Sequence, residues 1–151
     1  MIATQPAPNQ TQTSVLDVSP VIPVVVIDDL DTAVPLANSL LEGGIGIIEV
    51  TLRSPVALAA IAHIASDVSG MLVGAGTVCT PDQAALDNGA EFLVSPGATE
   101  RLLDALQPTG LPFLAGCASP SDMMRLLERG ITEAKLFPAT AVGGLAMLKA
   151  V

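Results

Sequence analysis

From Val21 onward the chain alternates a short apolar run with a segment of helical spacing, once every 20 to 25 residues or so, roughly the period of repeated β/α units. The apolar runs are "VIPVVVI" (21–27), "GIIEVTL" (46–52), "MLVGAGTV" (71–78), "EFLVSPG" (91–97), "PFLAGCA" (112–118) and "EAKLFPA" (133–139). Between the first two, Ala33, Leu36, Ala37, Leu40 and Leu41 fall on one face of a helix. Gly43-Gly44 closes that helix. Ser54-Pro55, Thr80-Pro81 and Ser119-Pro120 each offer a hydroxyl N-cap followed by a proline at the first helical position. Thr80 with Gln83 fits a reciprocal capping box. "RLLDALQ" and "DMMRLLERG" supply the fourth and fifth helices, the latter ended by Gly130.

Strands joined through helices must cross over right-handedly into a parallel sheet. The sheet is either doubly wound or a closed barrel. "GAGTV" does not continue as a dinucleotide-binding glycine fingerprint. Polar residues stand at the C-terminal ends of several strands, where the site of a TIM-type (β/α)8 barrel is built. The barrel is therefore expected, with about six β/α units present and the sixth helix just begun in "GGLAMLKAV" at the end of the sequence. The expected division is a tail with a possible short helix in "SVLDVS" over 1–18, and an incomplete barrel over 19–151.

Composition agrees with this architecture. Half of the residues are hydrophobic but only 2% are aromatic, so the core must be aliphatic, which suits strands covered on both faces. A formal charge of -9 argues against a nucleic-acid or anionic-membrane surface. Cys79 and Cys117 are too few for a disulfide framework or zinc site, so two reduced thiols in a cytoplasmic protein are expected. The opening residues have no signal-peptide pattern, and no run reaches membrane-spanning length.

The chemistry concentrates on two strands. In "EVTLR", Glu49, Thr51 and Arg53 alternate onto one face, which in a barrel looks inward. Either Glu49 and Arg53 form an internal ion pair, or a proton-moving carboxylate stands beside a guanidinium that holds a substrate carboxylate. Lys135 is one of only two lysines and sits inside an apolar run that reads as a buried strand, on the face it shares with Phe137. Desolvation disfavours an ammonium, and a neutral amine is the nucleophile that forms a Schiff base. The alternative is a lysine that only pairs with Glu49 or extends outward. Lys149 reads as a surface residue. Thr77 follows small residues that leave room for a ligand; "SPG" at 95–97 reads first as a turn. His63 is expected on a solvated helix face, and Asp28, Asp29 and Asp31 at a helix N-terminus. No His or Cys pair has metal-ligand spacing.

Taken in order, "PVVVIDDLDTAVPLANSLLEGGI", "IEVTLRS", "VGAGTV", "FLVSPG" and "KLFPAT" with its following "VGG" resemble the 2-keto-3-deoxy-6-phosphogluconate (KDPG) aldolase / 4-hydroxy-2-oxoglutarate aldolase family, from about Ser19 to the end. The resemblance implies a class I aldolase on a TIM barrel, with no metal or cofactor, assembled as a homotrimer. It casts Lys135 as the Schiff-base nucleophile and Glu49 as the general acid/base. Arg53 and Thr77 would hold the carboxylate of the pyruvyl part, with Pro96 and Phe137 also at the substrate site. The implied products are pyruvate with glyceraldehyde 3-phosphate or glyoxylate. "LAGCASPSD" departs from the family pattern at Ala115. The phosphate grip is expected on strands beyond Val151. A non-catalytic barrel remnant serving as a packing partner, or another phosphate-binding barrel enzyme, are the competing readings.

Overall fold

The computed structural model describes residues 14–84 and 88–151. Among them six strands, β1 (Val24–Val25), β2 (Ile47–Thr51), β3 (Leu72–Gly76), β4 (Phe92–Val94), β5 (Phe113–Cys117) and β6 (Ala134–Leu136), alternate with six helices. The helices are α1 (Ala33–Glu42), α2 (Ala57–Asp67), α3 (Pro81–Ala84), α4 (Glu100–Leu106), α5 (Pro120–Glu128) and α6 (Gly144–Ala150). The strands pair in parallel in the order β1-β2-β3-β4-β5-β6. A doubly wound sheet reverses its order at a switch point; this one never does. The result is a half-barrel, the fold that the polar strand ends suggest.

Strand alternation divides the core. Ile48, Val50, Val73, Ala75 and Leu93 face outward and pack against Ala33, Ala37, Ala60, Ile61 and Ile64 of α1 and α2. Ile47, Phe92, Val94 and Leu114 face the concave side and meet Val15, delivered by a 3-10 turn over Val15–Asp17. At β3 the ring of Phe92 takes the space that a side chain on Gly74 would need, since a Cβ there would lie 2.3 Å from the ring. Aliphatic side chains therefore serve both layers, and one phenyl ring joins them on the inner one.

The caps follow the sequence with one exception. Thr80 and Gln83 bond reciprocally, Gln83 N–H to Thr80 Oγ1 at 3.3 Å and Thr80 N–H to Gln83 Oε1 at 3.1 Å. Ser119 Oγ accepts from Asp122 N–H at 3.2 Å and begins α5. Ser54, expected to cap the second helix, does not. That helix starts at Ala57 with Val56 at its N-cap, and Ser54 Oγ donates to the Ile27 carbonyl beyond β1. A long-range bond to the Ile27 carbonyl takes the place of the local one. Asp29 accepts from Asp31 N–H at 3.1 Å and starts a 3-10 turn ahead of α1.

β6 also departs from expectation. Its run reads as a buried strand, yet Ala134 is exposed and Lys135 and Leu136 are half-buried. β6 pairs with β5 on one side alone among the described residues, so its other edge lacks the neighbour that would cover it.

Candidate active site

Glu49 and Lys135 are 86 residues apart, yet Lys135 Nζ donates to both carboxylate oxygens of Glu49 at 3.1 Å. They stand on β2 and β6, four positions apart in the strand order. Flat, at about 4.8 Å per strand, such a sheet would separate those strands by roughly 19 Å. Curling of the half-barrel brings the two side chains together across its concave face. Glu49 is 3% exposed, whereas the Lys135 side chain retains 25% of its surface. The Lys135 side chain thus keeps some contact with solvent, while the Glu49 side chain keeps almost none. Phe137 lies beside it, with Nζ 5.4 Å from the ring centroid, a cation–π distance that limits where the amine can point.

The internal Glu49–Arg53 ion pair is absent. Arg53 lies past the end of β2, exposed, with no carboxylate in ion-pair range among the described residues. Thr51, between them, gives its hydroxyl to the Val25 carbonyl at 3.1 Å and joins β2 to β1. Thr77 follows β3 with φ 60°, a left-handed conformation that a β-branched residue rarely adopts. Its neighbours hold it there: Leu52 N–H bonds the Gly76 carbonyl at 2.8 Å, and Val78 N–H bonds the Val94 carbonyl at 3.0 Å. Such strain concentrates at functional sites. Pro96 is half-buried just beyond β4. Its carbonyl lies 2.3 Å from where a Cβ on Gly116 of β5 would stand, so only glycine lets that loop lie against the sheet.

The reading of the linear pattern misses two features. The small residues before Thr77 do not leave open space for a ligand, because the Glu49 carboxylate occupies the room beside Gly76, with Oε1 2.2 Å from the Cβ position. Ser95 is 2% exposed, and its hydroxyl accepts from Gly116 N–H at 3.3 Å, tying β4 to β5 below Pro96. The alternating glycines of "VGAGTV" are the only sequence signal for the first. Nothing in "SPG" beyond a turn tendency points to the second.

The remaining candidates are peripheral. His63 is exposed on α2, and Lys149 is exposed in the last turn of α6. Cys79 is exposed and Cys117 buried, both free. Burial, with a smaller contribution from the negative Asp122, raises the Cys117 pKa. Among the described residues no group of His, Cys, Asp and Glu could hold a metal ion, and no helix is long and apolar enough to cross a membrane. A surface hollow lined by Met71, Leu72, Gly89 and Glu91 opens at the N-terminal ends of β3 and β4, away from the Lys135 amine.

Sequential parallel strands with an amine and a carboxylate meeting on the concave face define a β/α-barrel protein whose candidate site is built from strand residues. Residues 13–151 match the family model for KDPG and KHG aldolase, and the chain belongs to that family. The Escherichia coli K12 KHG/KDPG aldolase is 44% identical over 140 residues, covering 91% of this chain and 66% of that protein. The 2-dehydro-3-deoxy-phosphogluconate aldolase of Dickeya dadantii is 43% identical over 139 residues, covering 91% and 65%. The chain thus spans just under two thirds of these relatives' length. Among solved structures, the Legionella pneumophila KDPG aldolase, with pyruvate captured as a covalent carbinolamine, superposes with a TM-score of 0.85 at 48% identity, covering 88% of this chain and 66% of that one. The Zymomonas mobilis ZM4 enzyme with 3-phosphoglycerate gives 0.84 at 42% identity, covering 88% and 64%.

Proposed function

We propose that this chain carries the Schiff-base site of a class I aldolase acting on a 2-keto acid, with Lys135 as nucleophile and Glu49 as the group that moves protons. The observation that carries the reading is the double contact of Lys135 Nζ with Glu49 at 3.1 Å. An ammonium must give up a proton before its nitrogen can attack, and a carboxylate at that distance can accept it.

Attack of the neutral Nζ on the C2 carbonyl forms a C–N bond and breaks the carbonyl π bond, and transfer of a proton from the nitrogen to the new alkoxide gives a carbinolamine. The proton held by Glu49 then goes to the departing hydroxyl, and loss of water leaves a protonated imine. The imine is the electron sink for cleavage. Glu49 removes the C4 hydroxyl proton, the C3–C4 bond breaks, and its electron pair enters the imine as an enamine. Protonation at C3 and addition of water release pyruvate and restore the amine. Arg53 and Thr77, beyond the ends of β2 and β3, are assigned to the substrate carboxylate, with Pro96 and Phe137 as walls. The exposed Arg53, with no carboxylate partner among the described residues, suits that role, because a planar guanidinium binds a carboxylate through two parallel bonds.

The substrates proposed are 2-keto-3-deoxy-6-phosphogluconate, giving pyruvate and glyceraldehyde 3-phosphate, and 4-hydroxy-2-oxoglutarate, giving pyruvate and glyoxylate. The same reading assigns 19–151 to the barrel domain, places the protein in the cytoplasm, and makes the complete barrel a homotrimer. Incubation with pyruvate, reduction with borohydride and peptide mass spectrometry test it. The expected result is one reduced pyruvyl adduct on Lys135. A chain with no adduct there would be a non-catalytic scaffold in which Lys135 and Glu49 form only an ion pair.

A further inference from the structure

We infer that Gly76 is a positioning residue for the reaction: its missing side chain is the seat of the Glu49 carboxylate, and so sets where that carboxylate meets Lys135. The inference rests on the Schiff-base reading for its catalytic consequence, but not for its steric content.

A Cβ on Gly76 would stand 2.2 Å from Glu49 Oε1, 2.5 Å from Cγ and 2.7 Å from Cδ. Real Cβ contacts are not that short, so one partner must move. β3 has little freedom to retreat. Its parallel ladder to β2 runs from Leu72 to Gly76, and beyond it the Gly76 carbonyl and Val78 N–H are bonded to Leu52 and Val94. The movable partner is the Glu49 side chain. At 3% exposure it has no solvent to swing into, and the atoms that an added methyl would displace, Oε1, Cγ and Cδ, are those that carry the contact to the Lys135 amine. Gly74, two residues earlier on the same face, provides the control. The clash there is with the Phe92 ring, 2.3 Å from its Cβ position, so Gly74→Ala disturbs inner packing without a direct clash with Glu49.

The test pairs Gly76→Ala with Glu49→Ala and reads two quantities on the whole chain. One is the saturating rate of borohydride-trapped pyruvate adduct at Lys135. Gly76→Ala is expected to lower it about 10²-fold, the lower end of what a positioned acid/base group contributes, with the half-saturating pyruvate concentration little changed. The other is thermal unfolding of all four combinations, since removing the Glu49 side chain removes what the methyl collides with. Gly76→Ala should lower Tm by several degrees with Glu49 present and hardly at all in the Glu49→Ala background, a coupling that double-mutant cycles detect. Gly74→Ala should lower Tm in either background. An equal Tm loss from Gly76→Ala in both backgrounds would overturn the steric claim. A normal trapping rate in Gly76→Ala would overturn the positioning claim. If the unsubstituted chain traps no pyruvate, the aldolase reading and the catalytic role given to Gly76 fall with it, while the unfolding cycle alone decides whether Gly76 seats the carboxylate.

Discussion

In the proposed reaction the chemistry turns on Lys135, and Glu49 and Arg53 divide the remaining work. Replacing Lys135 with methionine should abolish the trapped adduct, whereas Lys149→Met, on an exposed turn of α6, should leave it intact; peptide mass spectrometry reads both. Glu49→Gln keeps the size and loses the base, so trapping should slow by about 10²–10⁴-fold. In the proposed reaction Arg53→Ala would remove the charge-assisted pair to the substrate carboxylate, worth roughly 1.5–3 kcal/mol. It should raise the half-saturating pyruvate concentration about 10- to 160-fold, the same energy expressed as affinity. The thiols also separate. Burial holds the Cys117 thiol neutral to higher pH, so iodoacetamide should label exposed Cys79 long before Cys117 in the folded chain. A thiol whose pKa is raised on folding supports the fold below its ordinary value of 9.0, and that support fades as pH climbs through the raised one.

At the level of elements, α5 shows how a short polar box fixes a helix start. Asp122 Oδ2 accepts from Ser119 Oγ at 2.8 Å and from Ala118 N–H at 3.2 Å, and these bonds, the hydroxyl first, hold its carboxyl below the ordinary value of 3.8. A carboxyl depressed on folding stabilises above its ordinary pKa and loses that support as pH falls through the folded value. Asp122→Asn should therefore flatten the part of the acid-unfolding curve below pH 3.8, read by circular dichroism. Ser119→Ala should cost about 1 kcal/mol in urea unfolding. Across the gap between α4 and α5, Arg129 pairs with Glu100 and with Asp104 while Arg125 reaches Glu100 at 3.5 Å, so the two helices are tied by charge as well as by Leu103 and Leu126.

For the whole molecule, the decisive feature is what the sheet leaves uncovered. β1 and β6 each have a single partner among the described residues, and Val24 and Val26 at one end and Leu145 at the other are 54%, 49% and 75% exposed. Unpaired edges flanked by apolar side chains recruit other chains. The 151-residue chain is expected to self-associate, with sedimentation velocity showing a mean mass that rises with concentration; a concentration-independent monomer would contradict this.

By itself the sequence determined the alternation, because apolar runs, glycine stops and Ser/Thr-Pro starts are local signals that each β/α unit carries. It also placed Glu49 on an inward face and Lys135 on one strand face with Phe137, since a strand's side chains alternate with a period of two. Ser54 shows the limit: its residue type permits a cap, and only the nearness of the Ile27 carbonyl made it do something else. The edge position of β6, the seat at Gly76 and the buried bond of Ser95 belong to the same class. Each depends on contacts between residues distant in sequence, and the distance from Lys135 to Glu49 is fixed by the curvature of the whole sheet, to which no single segment is sufficient.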